Sequence, residues 1–574
     1  MQSASLLAFF AAAPAKTQLV RLNAVDIAVI AVYFAIVIFI GFYLKGAANT
    51  SEEFFMAGRE MTAWIAGLSF VSANLGSLEL MGWAGSAYQY GILATHWYWI
   101  GAIPAMLFLG IIMMPFYYIS KVNSVPGYLS LRFGPGTRAL SAISFAFMTV
   151  LMSGINMYAM ALVMKVVLGW NLNFSIWVSS ATVALYVILG GLRSAIFNEV
   201  LQFLLIWLGA LLVPVLGLIE VGGWNNLKHQ IVHNLGSADY VHLWSGLGHF
   251  NTNPMGVNWV GIVFGLGLVI SFGYWTTDFL VVQRVLSAHN LRAARMAPII
   301  GAGFKMLVPF IVILPGLLAL SVLPFHLVGE TTAVATGQHS YNEVLPLMLV
   351  RYCGPGLLGL GVTALIAGFM SGMAGNVSAF STVWTYDIYG AFLNKKATDR
   401  HYVAMGRWSM FVGVLVSVGT AYLVQHAASI MDYVQGLFSF FIAPLFGTVI
   451  LGMLWKRATR QGGFWGLLAG TSTAIGLWAW VRHDPSALRY VAMSPDAKAM
   501  AEDLYRALWS WIVCVLVTVF VSYATQPRPD AELEGLVYGV SPLPHEHDDY
   551  WYQKPIVWAS AVAVGFVILN IIFW

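Results

Sequence analysis

Fourteen stretches of this chain are apolar over roughly the 20 residues that a helix needs to cross the core of a bilayer. They lie near 22–44, 62–90, 93–118, 138–168, 174–190, 195–219, 257–280, 297–323, 356–386, 402–425, 430–453, 461–480, 506–524 and 555–573. Backbone polar groups in lipid must be satisfied internally, which leaves only helices or closed barrels. The runs are long and lack the two-residue alternation of barrel strands, so the expectation is an all-α polytopic membrane protein. Two runs, 62–90 and 356–386, exceed one crossing, which implies tilt or a continuation as a surface helix.

Composition removes the other classes. Only 9% of the 574 residues are charged and 59% are hydrophobic, against about 25% charged in soluble domains. Several hundred residues cannot present an aqueous surface on that basis, and the chain is too apolar to be disordered. Two cysteines, Cys353 and Cys514, make no disulfide scaffold. The 28 basic and 24 acidic residues include no basic stretch long enough to follow a phosphate backbone, so no nucleic-acid partner is expected. The lipid bilayer is the partner the composition demands. No serine nucleophile elbow, P-loop or HExxH is present, so an enzyme and a self-powered ATP pump are excluded, and no ATPase partner is required. A filter-like segment or charge ring, the mark of an ion channel, is also missing from the sequence.

Basic residues stay mainly on the cytoplasmic side. With the N-terminus outside, seventeen Lys and Arg, Arg284 among them, fall in inward segments and seven in outward ones. This bias places both termini outside. Residues 1–21 read as an extracellular leader, or as a weakly signal-like segment without a basic n-region. HEHDD at 545–549 reads as a solvated loop, since its spacing is that of no zinc or calcium site.

An ionisable side chain inside a membrane span costs roughly 2.5–3.5 kcal/mol on the insertion scale, so each one demands a reason. Glu79, Asp278 and Lys305 lie deep. They form either a polar solute or ion site, or an ion-pair network that fixes helix packing. Glu199, Asp387 and Asp432 lie near span ends, where structural roles serve equally well. SANLGS (72–77) and GLVISFGYWTTD (267–278) have the composition of interrupted helices, in which unwound backbone turns carbonyls toward an ion. Ser371, Ser378, Ser381 and Thr382 could bond their own helix or complete an oxygen shell around a hard cation.

Several motifs together carry a resemblance. They are SEEFFMAGR (51–59), SVPGYLSLRFG (124–134), ILGGLRSAIFNEVLQ (188–202), VVQRVLSA (281–288), FKMLVPFIVILPG (304–316), WTYDIY (384–389) and MLWKRATRQGGFWGLLAG (453–470). With them, the chain from about 22 to about 475 resembles the sodium:solute symporter family, on its sodium/sugar cotransporter branch. The resemblance implies a LeuT-type fold with a 5+5 inverted-repeat core and about fourteen transmembrane helices. It divides the chain into a leader (1–21), a peripheral first helix (22–44), a first repeat (62–219), an extracellular loop (221–256), a second repeat (257–453) and three peripheral helices with their loops (461–574).

The family's sodium site, carried over by position, takes backbone carbonyls of Ser72, Leu75 and Gly368 and the hydroxyl of Ser371. Its second serine is Gly372 here, which has no side-chain oxygen, so the expected Na+ site is incomplete unless water or Ser72 Oγ fills the gap. The acid implied in ion release falls on Glu199. Of the family's sugar-binding positions, Lys305 and Gln435 match, while Glu79, Tyr98, Gly101 and Asp278 have changed type. Trp83, Tyr98, Trp99, Tyr274 and Trp275 offer rings to a pyranose face. The expectation is a sodium-coupled symporter importing a small polar solute, a sugar as the best single guess, through a bacterial cytoplasmic (inner) membrane. A proton-coupled or uncoupled carrier of a non-sugar solute is the alternative, and a transporter-like sensor a further one.

Overall fold

The computed structural model describes residues 22–44, 50–244, 246–248, 253–323, 328–329, 339–425, 429–494, 497–540 and 550–574. The leader 1–21 and HEHDD at 545–549 lie outside these residues. Among the described residues, ten single helices are long and apolar enough to cross a membrane. Three more crossings are helix pairs bent by 56°, 49° and 45°.

The helices that frame the interior are α1 (Ala63–Asn74), α2 (Ser77–Tyr90), α3 (Trp97–Ile119), α4 (Pro135–Leu168) and α5 (Leu172–Ala210). They continue with α6 (Gly261–Thr277), α7 (Phe279–Leu286), α8 (Leu291–Lys305), α9 (Leu357–Leu393) and α10 (Ile430–Leu454). The runs at 174–190 and 195–219 both lie in α5, where two helices join across a kink at Gly191, with φ 58° and ψ −157°. Only glycine fits there, because a Cβ would lie 2.7 Å from the Phe54 carbonyl oxygen.

The long run 62–90 is two helices bent by 56°. It breaks at Leu75–Gly76 between α1 and α2, inside the SANLGS segment. The second break falls at Asp278, whose backbone is extended between α6 and α7. Its carboxylate caps α7, accepting from Leu280 N at 2.9 Å. The third lies between α8 and Pro309–Val322, where Pro309 has no N–H to give to a continuous helix. The run 356–386 continues as one 37-residue helix, α9.

Small residues set the closest helix contacts. In Arg460–His483, Gly462, Gly466 and Gly470 recur every four residues, and a Cβ on each would sit 2.8–2.9 Å from a carbonyl oxygen of Ala499–Ala524. This is small-residue packing of the kind that lets membrane helices approach closely. The backbone carbonyl of Trp574 accepts from Leu243 and Trp244 N at 3.2 and 3.1 Å, so the last helix ends beside the 221–256 segment. Ser51 donates to Asp399 at 2.8 Å, which puts those two inward-predicted segments together.

Candidate functional site

Each of the three deep charges stands at a helix break. Glu79 occupies the first turn of α2, Asp278 separates α6 from α7, and Lys305 ends α8. The placement suits the helix dipoles: acids stand at N-terminal ends and the amine at a C-terminal end. The three bends aim these ends into one cavity of about 730 Å³, counting its open side.

Asn74, the last residue of α1, organises the cavity. Its Nδ2 donates to Glu79 Oε1 at 3.1 Å and to the Tyr274 hydroxyl at 2.8 Å. Its Oδ1 accepts from the Lys305 ammonium. Tyr98 donates to the other oxygen of Glu79. The Lys305 ammonium lies 5.0 Å from the Tyr98 ring centroid and 5.1 Å from that of Trp275. An amine held between aromatic faces and an amide oxygen is stabilised without a direct ion pair. Across the cavity, on α10, Gln435 is buried and its Oε1 has no hydrogen-bond partner. Trp83 and Trp97 also line the space, each with an unpartnered indole N–H. A small solute here meets ring faces, several amides, two phenols, two carboxyls and one amine. That set both donates and accepts hydrogen bonds.

Glu79, Tyr98, Tyr274, Asp278, Lys305 and Gln435 all line this cavity. Two expected residues do not. Gly101 packs directly against Ser271, leaving Ala102 as the lining residue of that turn. Trp99 points away, donating to the Met306 carbonyl at 3.1 Å and packing on Phe573. Asn74 was legible as part of SANLGS, but only the fold reveals that it joins Lys305, Glu79 and Tyr274.

Next to the first break, Ser371 on α9 donates to the Ser72 carbonyl oxygen at 2.8 Å, and its Oγ lies 3.0 Å from Ser72 Oγ. A Cβ on Gly368 would lie 3.2 Å from the Leu75 carbonyl oxygen, which brings these two positions together as well. Gly372 faces Gly76 across the same contact. Every oxygen in this cluster is neutral, which suits a monovalent hard cation better than a divalent one. Among the described residues, no group of three His, Cys, Asp or Glu could hold a metal. Ser378, Ser381 and Thr382 are used elsewhere: each donates to a backbone carbonyl, of Gly375, Gly406 and Ser378.

Glu199 stands apart from the cavity. Its carboxylate accepts from Arg284 Nη2 at 2.6 Å and Nε at 3.3 Å, and from Ser69. Both side chains of the ion pair are fully buried. Arg284 is therefore a buried charge in the last turn of α7, paired with Glu199, and not a loop charge. Asp387 pairs with Arg138 at 2.8 Å, and Asp432 accepts from Tyr90, so both bind neighbouring helices.

Among the described residues, a helical bundle with three broken crossings around one buried polar cavity describes a polytopic membrane protein with roughly 10–13 membrane-spanning helices. The model of the "Sodium:solute symporter family" matches residues 54–470, and the chain belongs to that family. It is a multi-pass membrane transporter and not an enzyme. The chain is 28% identical to mouse (Mus musculus) "Solute carrier family 5 member 4A", over 92% of this chain and 84% of the relative. It is 30% identical to zebrafish (Danio rerio) "Sodium/glucose cotransporter 4", over 90% of this chain and 81% of the relative. In fold it is similar to a Na+-coupled sialic acid symporter in a substrate-bound outward-open state, with a TM-score of 0.71 at 19% identity, over 88% of this chain and 99% of that one. The expected bacterial inner membrane is corrected: these curated relatives are animal proteins, so what holds is a multi-pass membrane protein.

Proposed function

We propose that this chain imports a small neutral polar solute, a sugar in preference to other classes, by coupling it to sodium through alternating access. One observation carries the reading. The broken first helix serves both sites: Ser72 and Leu75 face the neutral oxygen cluster, while Asn74 and Glu79 face the cavity. An ion that orders the Ser72–Leu75 backbone thereby orders Asn74 and Glu79, and the solute does the converse. Coupling between two sites is reciprocal in free energy, and one shared segment is a physical route for it.

The lining favours a neutral solute. Two carboxyls line the cavity against one amine, and that amine is already held by Asn74, so the lining offers little to an anionic sugar. The rings of Trp83, Tyr98, Tyr274 and Trp275 suit the apolar face of a pyranose, with Gln435 and Glu79 available to its hydroxyls. The names of the sodium/glucose cotransporters among its relatives support the same class. In this reading the fold is fourteen spans, with repeats 62–219 and 257–453 rocking about the cavity and Glu199 on the ion's way out.

The test is uptake by purified protein in proteoliposomes from a panel of neutral hexoses, sialic acid, polyols, nucleosides and amines, with an inward sodium gradient. Accumulation of a neutral hexose supports the proposal. Accumulation of an amine or an acidic sugar, with hexoses excluded, overturns the sugar assignment. Accumulation driven by a proton gradient alone favours the alternative carrier.

A further inference from the structure

The hydroxyl that Gly372 lacks has a neighbour able to replace it. Asn156 comes from α4, a helix that contributes nothing to the sodium cluster as read from the sequence. It is 3% exposed. Its Nδ2 donates to the Met152 carbonyl one turn back at 3.3 Å, while its Oδ1 is buried with no hydrogen-bond partner. A buried, unsatisfied carbonyl oxygen in a membrane interior is costly and calls for a ligand. The amide's orientation is settled by its surroundings: turned over, it would set Oδ1 against the Met152 carbonyl, acceptor facing acceptor.

The orphaned oxygen is aimed at the ion cluster. A Cβ on Gly372 would lie 3.1 Å from Asn156 Oδ1, and a Cβ on Gly76 only 2.9 Å from it. Gly372 follows Ser371 and Gly76 follows Leu75, so Oδ1 stands where the cluster's two backbone segments meet. The Gly372 Cβ would also lie 3.4 Å from Asn156 Cγ. A serine at 372 and the amide at 156 thus compete for one space, and this chain has glycine at the first and asparagine at the second.

We infer that Asn156 Oδ1 supplies the sodium-site oxygen that Gly372 cannot, so that the site is complete and draws on α4 as well as α1 and α9. The inference rests on the sodium reading above. It also replaces the expectation that water or Ser72 Oγ fills the gap. A neutral amide oxygen keeps the site neutral, and oxygen number is what tunes a hard cation's affinity. Asn156 lines the solute cavity too, and direct solute contact is the competing role.

Sodium titration of purified protein in nanodiscs without solute, read by intrinsic tryptophan fluorescence, separates the outcomes. Solute affinity is measured alongside at saturating sodium. Asn156→Ala should raise the half-saturating sodium concentration by about tenfold or more, the scale on which lost ligand support weakens metal sites, and leave solute affinity at saturating sodium near wild type. N156A with G372S should recover most of that loss, since the serine then has room and brings its own oxygen. G372S alone should give no gain, because Asn156 crowds it. An N156A titration that overlays wild type while S371A shifts overturns the inference and leaves the sodium reading standing. Weaker solute binding with unchanged sodium response also overturns it and assigns Asn156 to the solute. A wild type with no sodium response, matched by S371A, overturns both. Should N156A fail to fold, Asn156→Asp decides: it keeps the oxygen and must bind sodium at least as tightly as wild type, and weaker binding overturns the inference.

Discussion

Replacing Glu199 with alanine strands a guanidinium in the protein interior. Arg284 and Glu199 are both fully buried, and the carboxylate takes two of the guanidinium's hydrogen bonds, at 2.6 and 3.3 Å. After the change, Arg284 keeps the Leu280 carbonyl at 2.8 Å, Gln283 at 3.2 Å and Ser378 at 3.4 Å, none of which carries charge. Removing one partner of a buried pair costs about 3–5 kcal/mol, because the other charge is left uncompensated. At about 2.1 cal/mol/K per residue, unfolding 574 residues carries about 1.2 kcal/mol/K, so the midpoint should fall by about 2.5–4 °C. The molecule carries its own reporter. Cys353 and Cys514 are free and buried, so a thiol-reactive dye lights up only on unfolding. Removing both charges, with Glu199→Leu and Arg284→Met together, should restore most of the loss, since apolar replacement of a buried pair is often neutral. An E199A midpoint within about 1 °C of wild type, or a double variant less stable than E199A, would refute this account of the pair.

Two further outcomes follow from the same structure. Lys305→Ala leaves Asn74 bonded to Tyr274 and Glu79, so the protein should still fold; solute affinity by calorimetry should drop by about 2–5 kcal/mol, and unchanged affinity in the folded variant removes Lys305 from solute binding. Cysteines placed at 340 and 574 should react with an impermeant thiol reagent in intact cells and one at 396 should not, with the native cysteines silent because they are buried; labelling at 396 sinks the topology.

Much of the fold was legible because lipid imposes a simple length rule, and thirteen of the apolar runs have counterparts in the ten helices and three bent pairs. The break at SANLGS was legible for a chemical reason, since Asn, Gly and Ser cluster where a membrane helix has no need of them. The break after Lys305 was not, because its proline sits in an otherwise ordinary apolar run. Convergence of Glu79, Asp278, Lys305 and Gln435 came only through resemblance, as no spacing links residues on separate helices. Charge counting read Arg284 as a loop charge, since sequence shows a cation near a span end without showing the buried Glu199 that pairs with it. Gly101 and Trp99 lie outside the cavity while Trp97, Tyr98 and Ala102 line it, a facing within the π-helical turn 97–102 that residue types do not reveal. Asn156 carries a sequence signal of its own, a lone amide in MSGINMYAM that needs a polar partner, but no spacing names that partner.

Sodium coupling of solute entry is the central claim, and one curve tests it most directly. Initial solute uptake into proteoliposomes is measured against external sodium at fixed pH and clamped voltage, for wild type and Ser371→Ala. Saturable sodium dependence in wild type, strongly weakened in S371A, is the predicted result, because the Ser371 hydroxyl is 2.8 Å from the Ser72 carbonyl oxygen at the heart of the neutral cluster. A wild-type rate independent of sodium would contradict the account.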